Sequence, residues 1–117
     1  MIEIGEYVIN QNRLVIGQII KINEERQEAI IKTDKAKIPI GFWNIKKHSK
    51  NIIDLIELYD YVNGMIVFDI ITYDNGEKAI KIPSGYLISE NEIQNILTHE
   101  QYMQNCYKCQ DIENGTI

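Results

Sequence analysis

The chain has 117 residues, of which 44% are hydrophobic and 25% are charged, and its formal net charge is −5. These proportions are typical of soluble globular domains and argue against a disordered chain. No apolar run approaches the roughly 18 residues that cross a bilayer, and residues 1–6 lack the pattern of a signal peptide. We therefore expect a cytoplasmic protein with no membrane association.

Short apolar or alternating runs predict β-strands along most of the chain, and the abundant Ile and Tyr favour a pleated, half-buried surface. In the first half the runs are Val8, 14–16, 18–22 and 29–32, separated by polar turns at 10–13, 24–27 and 34–37. In the second half a strand over 65–73 returns over 77–82. Between them Asp74-Asn75-Gly76 is the strongest hairpin signal, because Asn-Gly supplies the positive φ angles of a tight turn.

Helix signals are few and lie mostly near the C-terminal end. Ser89-Glu90-Asn91-Glu92 has the form of a capping box and predicts a helix in which Ile93, Ile96 and Leu97 share a face. Thr98-His99-Glu100-Gln101 is a second such box, ahead of Tyr102 and Met103. A short helical turn is also expected within residues 49–56.

Several segments of the first half match segments of the second half in the same order, which predicts an internal duplication. Pro39 and Pro83 fall at matching strand ends, where a missing N–H costs least. The offset between the matched segments shrinks from 54 to 44, as shorter turns in the second copy would produce. The matches are 2–8 with 56–62, 18–20 with 69–71, 29–30 with 79–80, 38–42 with 82–86, and 51–53 with 95–97.

Short strands at this spacing predict a mainly β fold made of two tandem SH3-like small β-barrel units with short helical turns. The first unit covers residues 1–54, the second covers 55–109, and 110–117 form a flexible tail. A unit of this size buries little surface by itself, so the two are expected to pack on each other.

No motif for catalysis is present: the chain has no Gly-rich phosphate loop, nucleophile elbow or paired histidines. We therefore expect a protein that is not an enzyme and has no cofactor. Cys106-Tyr107-Lys108-Cys109 is the one conspicuous spacing, and two free thiols are the simplest interpretation. A metal site is the weaker alternative and would need two chains to supply four ligands, while a redox motif would need a thioredoxin-like context.

Two groups of side chains are candidates for binding. Lys46, Lys47 and Lys50 follow Trp43, and lysines beside an aromatic side chain can meet a phosphate backbone and stack on a base; the alternative is a solvated loop over a core tryptophan. Tyrosines at strand positions can hold extended peptides, or can serve ordinary packing. The predicted binding residues are Trp43, Lys46, Lys47, Lys50, Tyr59, Asp60, Tyr61, Asp74, Glu77 and Tyr86.

Three segments carry a resemblance to a group of proteins. Residues 47–57, followed by Asp60-Tyr61-Val62-Asn63-Gly64, resemble a sequence found in small uncharacterised proteins of clostridial phages and prophages, and 2–8 and 97–102 resemble the same group. The chain departs from that pattern at Tyr59, where Gly is expected, and at the two cysteines. The resemblance implies a mobile-element origin and assigns no site residues.

The charge is unevenly placed, because residues 1–54 have a net charge of +2 and residues 55–117 a net charge of −7. An acidic half repels nucleic acid and attracts basic protein surfaces. The first hypothesis is therefore a phage accessory protein that binds a host protein, for example a nucleic-acid-handling defence enzyme, as an anti-CRISPR-type inhibitor does. The alternatives are a nucleic-acid-binding SH3-like module and a sponge for a small nucleotide signal in a cleft between the units.

Overall fold

A computed structural model describes residues 1–109 and shows a mainly β protein with antiparallel sheets, as predicted. The first half forms one five-stranded sheet in the order β4-β3-β2-β1-β5. A single 3₁₀ turn, Phe42–Asn44, lies between its last two strands. The strands are β1 (Tyr7–Asn10), β2 (Ile16–Asn23), β3 (Glu28–Lys32), β4 (Lys37–Gly41) and β5 (Ile45–Ser49).

The second half forms two three-stranded sheets, in the orders β10-β9-β8 and β11-β6-β7. A 3₁₀ turn, Glu90–Glu92, again precedes the last strand, which pairs with the first strand of its half. Among the described strands none of the three sheets closes on itself, so the prediction of closed barrels is wrong. The strands are β6 (Tyr61–Val62), β7 (Met65–Ile66), β8 (Asp69–Thr72), β9 (Lys78–Lys81), β10 (Leu87–Ser89) and β11 (Ile96–Leu97).

Each half has its own hydrophobic core. The first core is formed by buried residues of β1 to β4, and the second by residues of the strands and connecting segments of the second half together with the turn that precedes it. Ile and Val dominate both, because β-branched side chains pack well on pleated surfaces. The first core contains Val8, Ile19, Ala29, Ile31 and Ile40, and the second contains Ile53, Ile56, Val62, Val67, Ile80, Ile82 and Ile88.

A 3₁₀ turn over Ile52–Leu55, the linking turn, joins the two halves. It contacts β1 and β5 of the first sheet, while its Ile53 is buried in the core of the second half. The helical turn predicted within residues 49–56 is therefore confirmed. The predicted boundary between residues 54 and 55 falls inside this turn, which belongs to both halves.

The turns that open the two halves share the same hydrogen bonds at an offset of 54 residues. The N–H of Glu3 donates to the carboxylate of Glu6 at 2.8 Å, and the N–H of Glu57 donates to the carboxylate of Asp60 at 2.8 Å. In each turn the later residue returns its own N–H to the carbonyl of the earlier one at 3.2 Å. In both turns, therefore, a backbone N–H donates to the carboxylate of the residue three positions later, and this hydrogen bond shapes the turn.

The backbone hydrogen bond that follows each of these turns also occurs in both halves. The N–H of Gly5 donates to the carbonyl of Ile19 at 2.8 Å, and the N–H of Tyr59 donates to that of Val67 at 3.1 Å. Gly5 and Tyr59 both have a positive φ, of 94° and 74°. Tyr59 therefore adopts a backbone conformation that favours glycine, at the position where the sequence pattern led us to expect Gly.

Two of the remaining matches do not coincide in the structure, whereas 18–20 and 69–71 both lie in strands, as do 29–30 and 79–80. Pro39 lies inside the edge strand β4, whereas Pro83 lies in the turn after β9. Residues 51–53 enter the linking turn, whereas 95–97 enter β11. The prolines are therefore not equivalent, because short identities align by chance once turns differ in length.

The predicted hairpin is present, but its turn differs from the expected one. The N–H of Gly76 donates to the carbonyl of Tyr73 at 2.9 Å, and the N–H of Tyr73 donates to that of Glu77 at 2.8 Å. Gly76 has a φ of 89°, and Asn75 is not among the residues with positive φ. The turn therefore contains one left-handed residue instead of the two of a tight Asn-Gly turn, as in a three-residue hairpin loop that ends in a bulge.

Of the two capping boxes, only the second begins an α-helix. Both hydrogen bonds of the first box form, but the 3₁₀ turn ends after Glu92 and the chain extends into β11, where Ile96 pairs with Val62. The helical face predicted for residues 93–97 is therefore wrong, because strand pairing overrides the local signal. The second box begins α1 (His99–Asn105), as predicted. No helix within residues 1–109 is long and apolar enough to cross a membrane.

Candidate functional site

Arg13 joins the two halves of the molecule. It has a φ of 59° in the connection after β1, where the side-chain oxygen of Asn10 accepts the N–H groups of Leu14 and Val15, each at 3.0 Å. This turn directs the arginine towards the second half. Its guanidinium binds both carboxylate oxygens of Asp60, at 2.9 and 2.7 Å. Two parallel hydrogen bonds of this kind are the strongest form of an ion pair.

Other groups of the second half complete the surroundings of the Arg13 guanidinium. It donates to Glu100 at 2.8 Å and to the carbonyl of Leu55 at 3.0 Å, and its Nε lies 3.5 Å from Glu57. Burial by itself lowers the pKa of Arg13, but the hydrogen bonds and charge of Asp60 outweigh it and raise the pKa further above its ordinary value. The arginine therefore stays charged and bound to protein groups, which makes it structural.

Helix α1 is attached to the same place. Thr98 is fully buried, and its hydroxyl donates to the carbonyl of Arg13 at 2.7 Å. The N–H of His99 donates to Asp60 at 2.9 Å, and the amide of Gln101 donates to the carbonyl of Leu14 at 2.9 Å. The two halves are thus held together by polar contacts whose partners lie far apart in sequence.

A row of exposed apolar side chains, here called the apolar belt, crosses the second half. Its five residues lie on neighbouring chain segments, as backbone hydrogen bonds between those segments show: Tyr59 to Val67, Phe68 to Lys81, and Ile82 to Tyr86. Leu87 pairs with Lys81 in the same row. The belt residues and their exposed fractions are Leu58 (46%), Tyr59 (61%), Phe68 (63%), Tyr86 (56%) and Leu87 (39%).

A local irregularity turns Phe68 outwards. Asp69 is paired with Lys81, and the N–H of Phe68 donates to the carbonyl of the same Lys81 at 2.8 Å. Two residues therefore face one, which is the arrangement of a β-bulge. Val67 before it is buried, and the two residues of the bulge, Phe68 and Asp69, are both exposed, which a regular alternating strand would not give.

The first half has a smaller apolar surface at the corresponding place. Its sheet is also irregular between Ile19 and Lys21, and the residue between them, Ile20, is 38% exposed. Ile4, next to Gly5, is 61% exposed. Aromatic residues stand at these places only in the second half, which has Tyr59 where the first half has Gly5, and Phe68 where it has Ile20.

Carboxylates border the apolar belt. The hydroxyl of Tyr86 donates to Glu92 at 2.9 Å, and this hydrogen bond raises the pKa of Tyr86. The backbone N–H of Ser89 and the hydroxyl of Tyr86 lower the pKa of Glu92. Asp69 lies beside Phe68 and is exposed. The carboxylates of Asp69 and Glu92 therefore lie beside the belt, as does Lys81, which is paired with both Leu87 and Asp69.

Trp43 and the lysines after it lie on the first half. Trp43 is 80% exposed, so it is not a core residue, and its indole lies so close to Gly41 that a Cβ there would clash with it. The ammonium groups of Lys46 and Lys47 each lie 3.9 Å from Glu57, and that of Lys50 lies 3.1 Å from Glu3. Carboxylates thus accompany all three cations.

The other predicted binding residues are dispersed. Asp60 is fully buried and binds Arg13, which removes it from the surface. Tyr61 is half-buried, with its ring 5.1 Å from that of Tyr102. Asp74 and Glu77 are exposed in the hairpin turn between β8 and β9. Of the ten predicted residues, the structure brings only Tyr59 and Tyr86 into the apolar belt.

Candidate metal and redox groups are sparse. Cys106 and Cys109 are free, and residues 1–109 contain no group of three metal-ligating side chains. His48 lies 3.1 Å from Glu6. Burial raises the pKa of Glu6, but the hydrogen bond from Glu3 and the contact with His48 outweigh it, so the pKa is lowered.

Sequence reasoning missed three residues that the structure makes prominent. Arg13 was assigned to a polar turn, although a buried guanidinium is recognisable only once its carboxylate partners are placed. Leu58 was considered only within the matched segment 56–62, and Phe68 was assigned to the strand over 65–73. A break in strand alternation at Val67-Phe68 was the available signal, because two consecutive apolar residues cannot both face the core of a regular strand.

Comparisons with protein-family models, with curated proteins and with solved structures find no match to this chain. Its function is therefore argued from its own residues.

Proposed function

We propose that this chain is a non-enzymatic protein of phage or mobile-element origin, built from two tandem SH3-like units, that binds a host protein through the apolar belt. The belt carries the proposal. Contiguous exposed apolar patches mark interaction sites, and the centres of protein interfaces are enriched in aromatic residues. Three of the five belt residues are aromatic and all are more than a third exposed.

The arrangement of elements supports the tandem. In each half a 3₁₀ turn precedes the last strand, and that strand pairs with the first strand of the same half. The shared hydrogen bonds of the two opening turns, 54 residues apart, support the same reading.

The charge of the second half supports a basic partner. Its net charge of −7 attracts cationic surfaces, and carboxylates such as Asp69 and Glu92 lie beside the apolar residues. Enzymes that handle nucleic acids present basic surfaces, because they bind phosphate backbones. The proposed target is therefore a nucleic-acid-handling defence enzyme of the host, and binding would block its nucleic-acid surface.

Capture from the lysate of a clostridial host tests the proposal with a matched pair of variants. Phe68→Ser removes the centre of the belt, and Ile20→Ser changes the corresponding place in the first half. Wild type and Ile20→Ser should recover the same stoichiometric host protein, and Phe68→Ser should lose it. Recovery of the same proteins by all three, or of none by wild type, would contradict the proposal.

The anti-defence role has its own test. Expression in a host with active CRISPR immunity should raise the plating efficiency of a targeted phage, and Phe68→Ser should not. If a host protein is captured through the belt while plating is unchanged, binding stands and the anti-defence role is wrong.

Nucleic-acid binding through Trp43 is the second candidate, favoured by its exposure. The chain contains one tryptophan, so its fluorescence reports directly on this surface. Stacking on a base would quench the emission, and binding to phosphates would weaken steeply as salt rises. Unchanged emission with single- and double-stranded DNA and RNA at low salt would exclude this function.

A further inference from the structure

An open cleft of about 820 Å³ lies between the two halves, away from the apolar belt. It is lined by the beginning of β2, the loop before β4, β11 and the end of α1. None of the five belt residues lines it. Its volume is within the range of roughly 300–1,000 Å³ that is common for ligand sites. This cleft is therefore a second surface, independent of the proposed function.

Three runs of consecutive residues line the cleft, 14–18, 32–35 and 93–97. Successive side chains of a strand point to opposite faces, so a sheet face would contribute only every second residue. The consecutive residues 16–18 and 96–97, at the beginning of β2 and in β11, instead indicate that strand edges border the cleft, and 14–15 and 93–95 are the segments that lead into them. On both sides, therefore, backbone groups as well as side chains are presented to an incoming ligand.

On the side of the second half, β11 is an edge strand that, among described residues, pairs only with β6. The N–H of Asn63 donates to the carbonyl of Asn95 at 3.1 Å. Hydrogen-bonded and non-hydrogen-bonded pairs alternate along an antiparallel ladder, so the next pair, Val62 with Ile96, is non-hydrogen-bonded. The N–H and C=O of Ile96 therefore point away from β6, at the edge that borders the cleft.

The opposite side has a similar edge. Strand β3 ends at Lys32, which is paired with Gln18, so Ile16 and Gly17 are paired with β1 alone. Unpaired strand edges are templates for another extended chain. Backbone groups thus border both sides of the cleft. This arrangement favours an extended peptide over a compact ligand, because a peptide can hydrogen-bond along a strand edge.

The side chains around the cleft specify the composition of such a peptide. Half-buried apolar residues form its floor, including Ile16, Ile38 and Ile93. Lys32 and Lys35 are exposed at one border, with the exposed Asp34 between them, which leaves this border with a net charge of +1; within residues 1–109 neither lysine forms an ion pair. The opposite border has uncharged amides. In a bound peptide, apolar side chains at every second residue would contact the floor of the cleft. A carboxylate of the peptide would lie beside Lys32 and Lys35.

We propose that this cleft binds an extended, acidic peptide segment of a partner protein, which adds as a strand to the edge of β11. Main-chain hydrogen bonds to Ile96 provide affinity, and the apolar floor and the lysine border provide selectivity. Displayed random peptides, selected against the full chain, are the probe. The selected peptides are expected to alternate apolar residues and to contain Asp or Glu.

Charge reversal within and outside the cleft is the matched test. Lys35→Glu should weaken a selected peptide roughly tenfold, because an attraction becomes a repulsion. Lys21→Glu makes the same change of net charge on β2 but does not line the cleft and is paired with Ile30, so it should leave the affinity within about twofold. Equal affinity for both variants would overturn the proposal, as would the absence of any enriched peptide.

Strand addition has a distinct signature. The amide of Ile96 should become protected from hydrogen exchange when the peptide saturates the chain, and Ile96→Pro, which removes that outward N–H, should abolish binding. An unchanged exchange rate would show that peptides bind elsewhere. If mononucleotides protect this amide and peptides do not, the cleft is a nucleotide site and the proposal is wrong. Phe68→Ser, in the belt, should bind the peptide as wild type does.

Discussion

Arg13 and Asp60 are 47 residues apart in sequence, yet their side chains form two parallel hydrogen bonds of 2.9 and 2.7 Å in the buried centre of the molecule. The pair connects the first half to the second. Helix α1 is attached to it, because the N–H of His99 donates to Asp60. Since burying two charges is costly, such a pair gives orientation more readily than net stability. It fixes how the two halves meet and so shapes the cleft between them.

Removal of one partner of this pair should be strongly destabilising. Arg13→Met leaves the carboxylate of Asp60 buried without its cation, and we expect the free energy of unfolding to fall by about 3–5 kcal/mol. The double variant Arg13→Met/Asp60→Leu removes both charges and should recover much of the loss. Urea unfolding of the single and double variants measures the coupling.

An exposed ion pair is the control. Lys50→Met breaks the contact with Glu3, in which both side chains are more than half exposed, and should change the free energy of unfolding by less than about 1 kcal/mol. Equal losses for Arg13→Met and Lys50→Met would show that the Arg13–Asp60 pair is not buried in solution.

Stability should fall at acid pH. The folded-state pKa of Glu6 is below its ordinary value of 4.5, so its contribution is fully present above pH 4.5 and is lost as the pH falls through the folded value. Hydrogen bonding to Ser49 and the charge of Lys78 outweigh burial and lower the pKa of Asp54, which gives the same sign. Glu6→Gln should flatten the pH dependence of urea unfolding below pH 4.5, whereas the exposed Glu25→Gln should retain the wild-type slope.

The two left-handed positions should respond in opposite ways. A Cβ at Gly5 would meet nothing within 4 Å, so Gly5→Ala isolates the backbone cost of its φ of 94°, and we expect a loss of about 1–2 kcal/mol. Tyr59→Gly relieves the same strain at φ 74° and should not destabilise. Thermal and urea unfolding compare them, and a loss for Tyr59→Gly as large as that for Gly5→Ala would contradict the shared turn geometry.

The N-cap of α1 should matter more than an ordinary cap. The hydroxyl of Thr98 accepts the N–H of Gln101 at 3.0 Å and donates to the carbonyl of Arg13 at 2.7 Å. Thr98→Ala removes both bonds in a buried place, and we expect the free energy of unfolding to fall by about 2 kcal/mol. Thr98→Ser retains the hydroxyl and should lose less. Similar losses in both variants would assign the effect to the methyl group.

The titration of Tyr86 reports on the border of the apolar belt. Its hydrogen bond to Glu92 holds its pKa above the ordinary value. Glu92→Gln removes the negative charge, so the pKa of Tyr86 should fall in an NMR titration of the tyrosine rings. Asp74→Asn, in the hairpin turn, should not move it. A Tyr86 pKa that is the same in Glu92→Gln would show that the two side chains are apart in solution.

The sequence by itself determined the local features of this protein. Apolar alternation predicted the mainly β fold, Asp74-Asn75-Gly76 predicted a hairpin, and the Thr98 capping box predicted α1. These depend on residues near one another in the chain, where turn chemistry and side-chain period act directly. The similarity of residues 2–8 and 56–62 likewise predicted two segments that fold into the same turn.

Only the tertiary structure decided which side chains are exposed and which are shared between the halves. Ile96 became a strand residue despite a helix signal, because pairing with Val62 packs it against the second core. A bulge turned Phe68 into solvent, and a carboxylate 47 residues away made Arg13 a buried residue. These outcomes depend on register and on distant partners, and a one-residue change of register reverses the faces of a strand. Pairing between distant residues therefore formed the apolar belt, the Arg13–Asp60 pair and the cleft.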